Sequence, residues 1–394
     1  MIRMNRRLFL KSAALVGCSA AAHPLMTTMT FASAPSENRL VVIILRGAMD
    51  GLDAIQPYGD PMLGKLRKDL SGGPAAGAVD LDGFYALHPR LAPLADLWKG
   101  GELAFAHAVS TPYRDKRSHF DGQDLLEAGT GNDLPVDWQR GGWLNRLVQT
   151  MPGATSETAY AVGVEQMKIL SGKAEHMTWA PDASLALSEQ AQMLLEHVYH
   201  DDPLFRDAAQ DAIRIGAESE GAVPRGKGPS ADAAALGAYA ATRLNGESRI
   251  AAFSIAGWDS HANQPQILGK ALDRLVAAIL ALREGLGENW RRTTVLAMTE
   301  FGRTVRQNGS GGTDHGTGGA LLMAGGAIRG GRAYGDWPGL GEGQLYADRD
   351  LMPTRDIRAY AAWAMRGLYG TPADTLEKTI FPGLDLGGDP GILA

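Results

Sequence analysis

Four short runs along the chain are apolar at nearly every position: Leu40 to Leu45 (LVVIIL), Leu103 to Val109 (LAFAHAV), Ile250 to Ile255 (IAAFSI) and Thr294 to Met298 (TVLAM). Leu321 to Ala324 (LLMA) makes a fifth. A strand with one wet face alternates apolar and polar residues, whereas a continuous run is covered on both faces, as in a parallel sheet between helix layers. Elsewhere the period changes. In PQILGKALDRLVAAILALREGLG the apolar residues Ile267, Leu268, Ala271, Leu272, Leu275, Val276 and Ile279 recur at helical spacing. DAAALGAYAATRL and TRDIRAYAAWAMRGLYG behave alike, the second with Thr354 as its expected N-cap. Alternating strands and helices predict an α/β fold, a mostly parallel sheet with helices on both faces. From Ser184 to Glu218 the pattern is helical, broken at Asp202-Pro203, and EGAVPRGKGPSAD then reads as an exposed linker. A helical insertion is therefore expected over residues 165–230 of a single domain spanning residues 35–394.

The amino terminus follows a different rule. MNRRLFLKSAALVGCSAAAHPLMTTMTFASA pairs Arg6 with Arg7, continues through Phe9-Leu10-Lys11 into a weakly apolar stretch, and ends on the small residues Ala32 and Ala34. That is the form of a twin-arginine export signal over residues 1–34, which makes the translocation machinery a partner and the periplasm or exterior the destination. Leu15-Val16-Gly17-Cys18 also fits a lipoprotein box, which would anchor the protein through a lipid on Cys18. Cys18 is the only cysteine, so no disulfide or thiolate metal site is available to the body. The segment holds four basic residues (Arg3, Arg6, Arg7 and Lys11) and no acid, so losing it deepens the net charge beyond the −6 of the whole chain. Such an acidic body has no long-range attraction for nucleic acid. No run is apolar enough to span a bilayer.

Composition adds that 394 residues, 45% of them hydrophobic, can bury a large core. The polar residues that matter lie where strands end. The first run passes into RGAMDGLD, putting Asp50 just past its carboxyl end; the third passes into AGWDSHANQ, with Asp259 and His261; the fourth passes into TEFGR, with Glu300 and Arg303. A glycine-rich loop then supplies Asp314 and His315 ahead of LLMA. Open parallel sheets bind ligands beyond the carboxyl ends of their strands. Three acids delivered to one edge by strand ends, joined by Asp314 and two imidazoles, predict a divalent metal site of Asp50, Asp259, His261, Glu300, Asp314 and His315, suited to Zn, Mn, Mg or Ca. Asp50 before Gly51 reads equally as a turn or cap.

TPYRDKRSHFDGQD follows the second run and brings Ser118 and His119 to the same edge at a helix start. The Ser118 hydroxyl there is either a nucleophile or a plain N-cap. Arg114, Arg117 and Arg303 are candidates to clamp an oxyanion, or to make salt bridges. A nucleophile elbow, a phosphate loop, a His-Glu-x-x-His zinc motif and a dinucleotide fingerprint are all absent from the sequence.

Taken together, the paired arginines, LRGAMDGLDAIQPYGDP, RSHFDGQDLLEAGTG, GWDSHANQ and TEFGRTVRQNGSGGTDHGTGGALLMAGG resemble a bacterial exported family of unknown function, DUF1501, within the alkaline phosphatase and sulfatase superfamily. The resemblance covers essentially the whole mature chain and implies an alkaline-phosphatase-like fold. It implies a nucleophile at a helix start, for which Ser118 is nearest, and metal ligands at Asp50, Asp259, His261 and His315. Two departures stand out. Asp259 and His261 are one residue apart where the superfamily spaces them by three, and Phe301 stands where an imidazole is expected. One metal, or a rearranged pair, is implied. The expected function is exported, metal-dependent hydrolysis of a phosphate or sulfate ester, with Ser118, His119 and Arg303 as catalytic residues. The alternative is a non-catalytic binding or assembly protein that keeps the fold and a structural metal.

Overall fold

The structure is a computed structural model that describes residues 29–32, 36–114, 116–131, 141–152, 154, 159–162, 167–174, 177–178 and 228–394. The expected insertion over residues 165–230 lies mostly outside these, as does nearly all of the expected signal. Met29–Ala32 pairs antiparallel with Ala159–Val162.

The apolar runs form the central sheet. Its strands are β1 (Arg39–Arg46), β2 (Leu103–Ser110), β3 (Ile250–Ala256), β4 (Thr293–Thr299), β5 (Gly319–Ala324), β6 (Arg332–Tyr334) and β7 (Arg355–Asp356). The order is β6-β2-β5-β4-β1-β3, with β7 paired to β2 beyond the last residue of β6. β3, β1 and β4 are mutually parallel. β5 runs antiparallel to both of its neighbours. The chain that leaves the carboxyl end of β4 therefore re-enters the sheet at the same edge, and the glycine-rich loop begins and ends there.

Helices α1 (His119–Ala128), α2 (Trp143–Thr150), α3 (Pro229–Asn245), α4 (Gln264–Leu286) and α5 (Ile357–Tyr369) are the longest among the described residues. The continuous apolar strands make sense against them. Val41, Ile43 and Leu45 of β1 pack into a core with Leu236 and Tyr239 of α3 and Leu268, Leu272 and Ile279 of α4. Leu40, Val42 and Ile44 point the other way, into a core with Trp143 and Leu147 of α2 and Tyr360 and Met365 of α5. The mixed α/β class with a mainly parallel sheet is as expected. One cap differs: α5 starts on Asp356, whose carboxylate accepts from the Arg358 N–H at 2.9 Å, not on Thr354. Thr354 lies before β7, and its hydroxyl donates to the Asp336 carbonyl instead.

Candidate metal centre

Four connections reach the carboxyl edge, and one buried arginine joins three of them. Arg303 donates from Nε to the Ala48 carbonyl (2.9 Å), from Nη2 to the Gly47 carbonyl (2.8 Å) and from Nη1 to the Thr313 carbonyl (3.0 Å). It also reaches the turn after β3, at the Trp258 carbonyl (3.4 Å) and at Asp259 Oδ1, 2.5 Å from Nη2. Gly47 is required at the crossing. Its φ is +120°, and a Cβ there would stand 2.7 Å from the Asp259 nitrogen. The loop after β3 is laid on the glycine-rich loop through Asn263 N–H to Ser310 O, Gln264 N–H to Gly311 O and Thr313 N–H to Ser260 O. This pairing faces Asp259 and His261 towards His315.

His119 begins α1, where Ser118 is the N-cap and its hydroxyl accepts from the Asp121 N–H at 3.4 Å. His119, Asp259 and His315 each offer a ligand atom, all within 4.8 Å of one another. His119 Nε2 lies 3.5 Å from Asp259 Oδ2, and His315 Nε2 lies 3.6 Å from Asp259 Oδ1. His261 Nε2 joins them, 3.2 Å from Asp259 Oδ1 and 2.8 Å from His315 Nε2.

The other nitrogen of each ring decides what these atoms can do. Nδ1 of His119 meets Glu300 Oε1 at 2.8 Å, Nδ1 of His261 meets Asp314 Oδ1 at 3.0 Å, and Nδ1 of His315 meets the Arg117 carbonyl at 2.8 Å. Carboxylates and carbonyls only accept, so each Nδ1 carries a proton, and a ring that holds no second proton presents a lone pair at Nε2. Two such lone pairs, those of His261 and His315, face each other at 2.8 Å. They repel unless a proton or a cation lies between them. His119 Nε2 is buried and makes no hydrogen bond to the protein. Imidazoles that ligate a metal usually donate the far N–H to an oxygen, which forms the outer shell of the site, and the donor set here fits a divalent cation.

The carboxylates are held in their charged forms. Burial pushes Asp259 up, but the hydrogen bond and charge of Arg303, with His261 and His119, outweigh it and hold the group below its ordinary range. Burial also opposes ionisation of Glu300, and the bonds from His119 and Gln123 overcome it. Asp314 likewise ends below its ordinary value despite partial burial, through His261 and Asn308. His315 is lowered, first by burial and then by its charged neighbours, so it favours the neutral form that a metal needs.

Glu300 and Asp314 thus stand behind imidazoles, with His119 in the ligand group. Asp50 is elsewhere. It is fully buried, pairs with Arg67 at 2.8 Å, and accepts from Gln264 Nε2 (2.8 Å), Thr313 Oγ1 (3.2 Å) and the N–H groups of Leu52 and Asp53. Phe301 forms a floor, stacked on His119 at 5.2 Å and tilted against His315 at 5.2 Å. The Gly47 N–H, which donates to Glu300 at 2.9 Å, and the Arg117 carbonyl carry no side-chain signature and escape a reading of residue types. Gln123 and Asn308 escape it as well, being neutral amides common on any surface.

No curated protein and no solved structure matches the chain. Residues 106–364 match the family model described as "Protein of unknown function (DUF1501)", a span that includes His119, Asp259, His261 and His315, and on that match the chain belongs to the DUF1501 family.

Proposed function

We propose that the chain is an exported, metal-dependent hydrolase of a phosphate or sulfate ester, with the cation held by His119, Asp259 and His315 and with His261 beside them. One observation carries the reading: three imidazoles whose Nδ1 atoms each meet an oxygen turn their Nε2 atoms towards one partly exposed carboxylate. Three imidazoles to one carboxylate favour Zn or Mn over Mg or Ca. A divalent cation there supplies Lewis acidity and lowers the pKa of water. The chain's residues supply the rest. Glu300, Asp314 and the Arg117 carbonyl hold the rings, Arg303 holds Asp259, and the amino end of α1 favours an anionic ester. Ser118 Oγ caps that helix, so water is the better nucleophile in this reading. The alkaline phosphatase and sulfatase relationship is supported by the resemblance and by a mainly parallel sheet with its site at the carboxyl edge. Export is supported by Arg6 and Arg7.

The test is metal analysis of the purified protein, followed by a panel of phosphate and sulfate esters with and without added Zn or Mn. We expect about one ion per chain and ester hydrolysis that chelator abolishes. Bound metal with no hydrolysis would leave the structural-metal alternative, and absence of any bound divalent ion would end both.

A further inference from the structure

Beneath the ligand-bearing turns lies one amide that touches both. Gln264, the first residue of α4, is wholly closed to solvent. Its Nε2 donates to Asp50 Oδ2 at 2.8 Å and to Asp53 Oδ2 at 2.9 Å. Its Oε1 accepts from Ser260 Oγ at 3.0 Å and from Thr313 Oγ1 at 2.7 Å. The two carboxylates can only accept, so they fix which end of the amide is the nitrogen and leave its oxygen to the hydroxyls. Both donors and both acceptor positions of the amide are thus used.

The two hydroxyls are placed where the ligands are. Ser260 stands between Asp259 and His261, and Thr313 directly precedes Asp314 and His315. Ser260 and Thr313 are fully buried, so water does not stand in for a lost partner. The main chain joins the same segments, through Gln264 N–H to the Gly311 carbonyl (2.9 Å) and Thr313 N–H to the Ser260 carbonyl (3.1 Å). Behind the amide, Asp50 holds Arg67, which donates to the Thr304 carbonyl (2.8 Å) and the Val305 carbonyl (2.9 Å) at the start of the glycine-rich loop. A buried polar network that is satisfied throughout rigidifies its surroundings and specifies one arrangement of them.

We propose that Gln264 is a positioning residue for the metal centre: by holding Ser260 and Thr313 on one oxygen, it sets the spacing of the Asp259 and His315 ligand atoms, and with it the affinity and coordination geometry of the ion. The inference rests on the metal reading given above. It assigns the role to the amide oxygen. The nitrogen end is shared between two aspartates, so the placing of the amide does not depend on Asp50 alone.

The experiment strips the purified protein with chelator and titrates it with cobalt(II), whose visible absorption reports the geometry of its ligands. The wild-type protein should bind about one cobalt per chain. Gln264→Met keeps the side-chain length and removes the amide; it should weaken cobalt binding about tenfold and change the spectrum. Ser260→Ala and Thr313→Val each delete one hydroxyl and should weaken binding about threefold, and they carry the test if Gln264→Met does not fold. Adding Ser260→Ala to Gln264→Met should cost no further affinity, because the acceptor is already gone. Asn145→Ala controls for lost stability alone. Asn145 is equally buried, in α2 on the opposite face of the sheet, where its Nδ2 holds the Leu170 and Ala174 carbonyls at 2.7 and 3.0 Å. That variant should lower the thermal midpoint and leave cobalt affinity and spectrum unchanged. A wild-type protein that binds no cobalt would end the metal reading and this inference together. Wild-type affinity and spectrum in the Gln264, Ser260 and Thr313 variants, or equal weakening in Asn145→Ala, would overturn the inference alone.

Discussion

At the scale of single residues, position relative to a neighbour's free nitrogen separates a ligand from its support. If the proposed cation is bound, Asp259→Asn should therefore remove it, whereas Glu300→Gln should keep it with affinity about 10- to 100-fold weaker, since His119 loses the carboxylate that orients it. Asp50→Asn should leave metal content unchanged and lower stability by about 3 kcal/mol, because it strips the buried Arg67 guanidinium of its counter-charge. Metal content after dialysis, with urea midpoints for the same variants, checks all three, and a loss of metal in Asp50→Asn would overturn the separation.

His107 gives a second residue-scale expectation. It is fully buried among Tyr85, Phe105 and Trp337, with Nε2 2.7 Å from the Ile55 carbonyl. Burial pushes it down to about 4, which the Ile55 carbonyl only partly opposes. A depressed pKa means that the unfolded chain takes up the proton first. The stabilising contribution is full above the unfolded value of 6.5 and drains away as pH falls towards 4. His107→Phe should flatten that part of the stability profile by on the order of 1 to 3 kcal/mol, read as the difference between the two proteins' denaturation midpoints at pH 7 and pH 4.5.

At the scale of elements, the glycine-rich loop is a folded object. Gly302 donates to the Thr317 carbonyl and accepts from Gly316, and Thr304 donates to the Asp314 carbonyl, so residues 302–304 and 314–317 form a short antiparallel ladder. A Cβ on Gly302 would stand 1.8 Å from the Gly318 carbonyl oxygen, while one on Gly309, in the same loop, would meet nothing within 4 Å. Gly302→Ala should cost about 3 kcal/mol or more and displace His315, while Gly309→Ala should be near neutral. Thermal denaturation of the pair distinguishes a loop that is built from one that is merely permissive. Composition alone made the loop conspicuous. It did not say which glycines are crossings, because that depends on the partner strand.

At the scale of the whole molecule, the strands were legible because burial on both faces leaves a mark at every position, and the helices because their apolar stripes repeat. The direction of β5 was not legible, since an apolar run reads the same both ways and only the loop before it sets its sense. The convergence of Asp259, His261 and His315 on one edge could be read from strand ends. The retreat of Glu300 behind His119 could not, because it hangs on the Gly47 N–H and on a ring orientation. Replacing Arg6 and Arg7 together by lysine should retain full-length precursor in the cytoplasm, visible by fractionation and immunoblot. Normal export of that double variant would remove the signal assignment.

The three residues of the proposed metal site come from segments far apart in the chain: the start of α1, the turn after β3 and the loop before β5. An ion gripping all three would behave as a removable cross-link across two long loops, in a chain whose single cysteine precludes an internal disulfide. Such a link acts on the native state alone, because the three ligands lie within reach of one ion only when the chain is folded and the loop closure is already made. The resistance of the protein to unfolding would then rise with the concentration of free metal around it, making the surrounding solution a determinant of its lifetime.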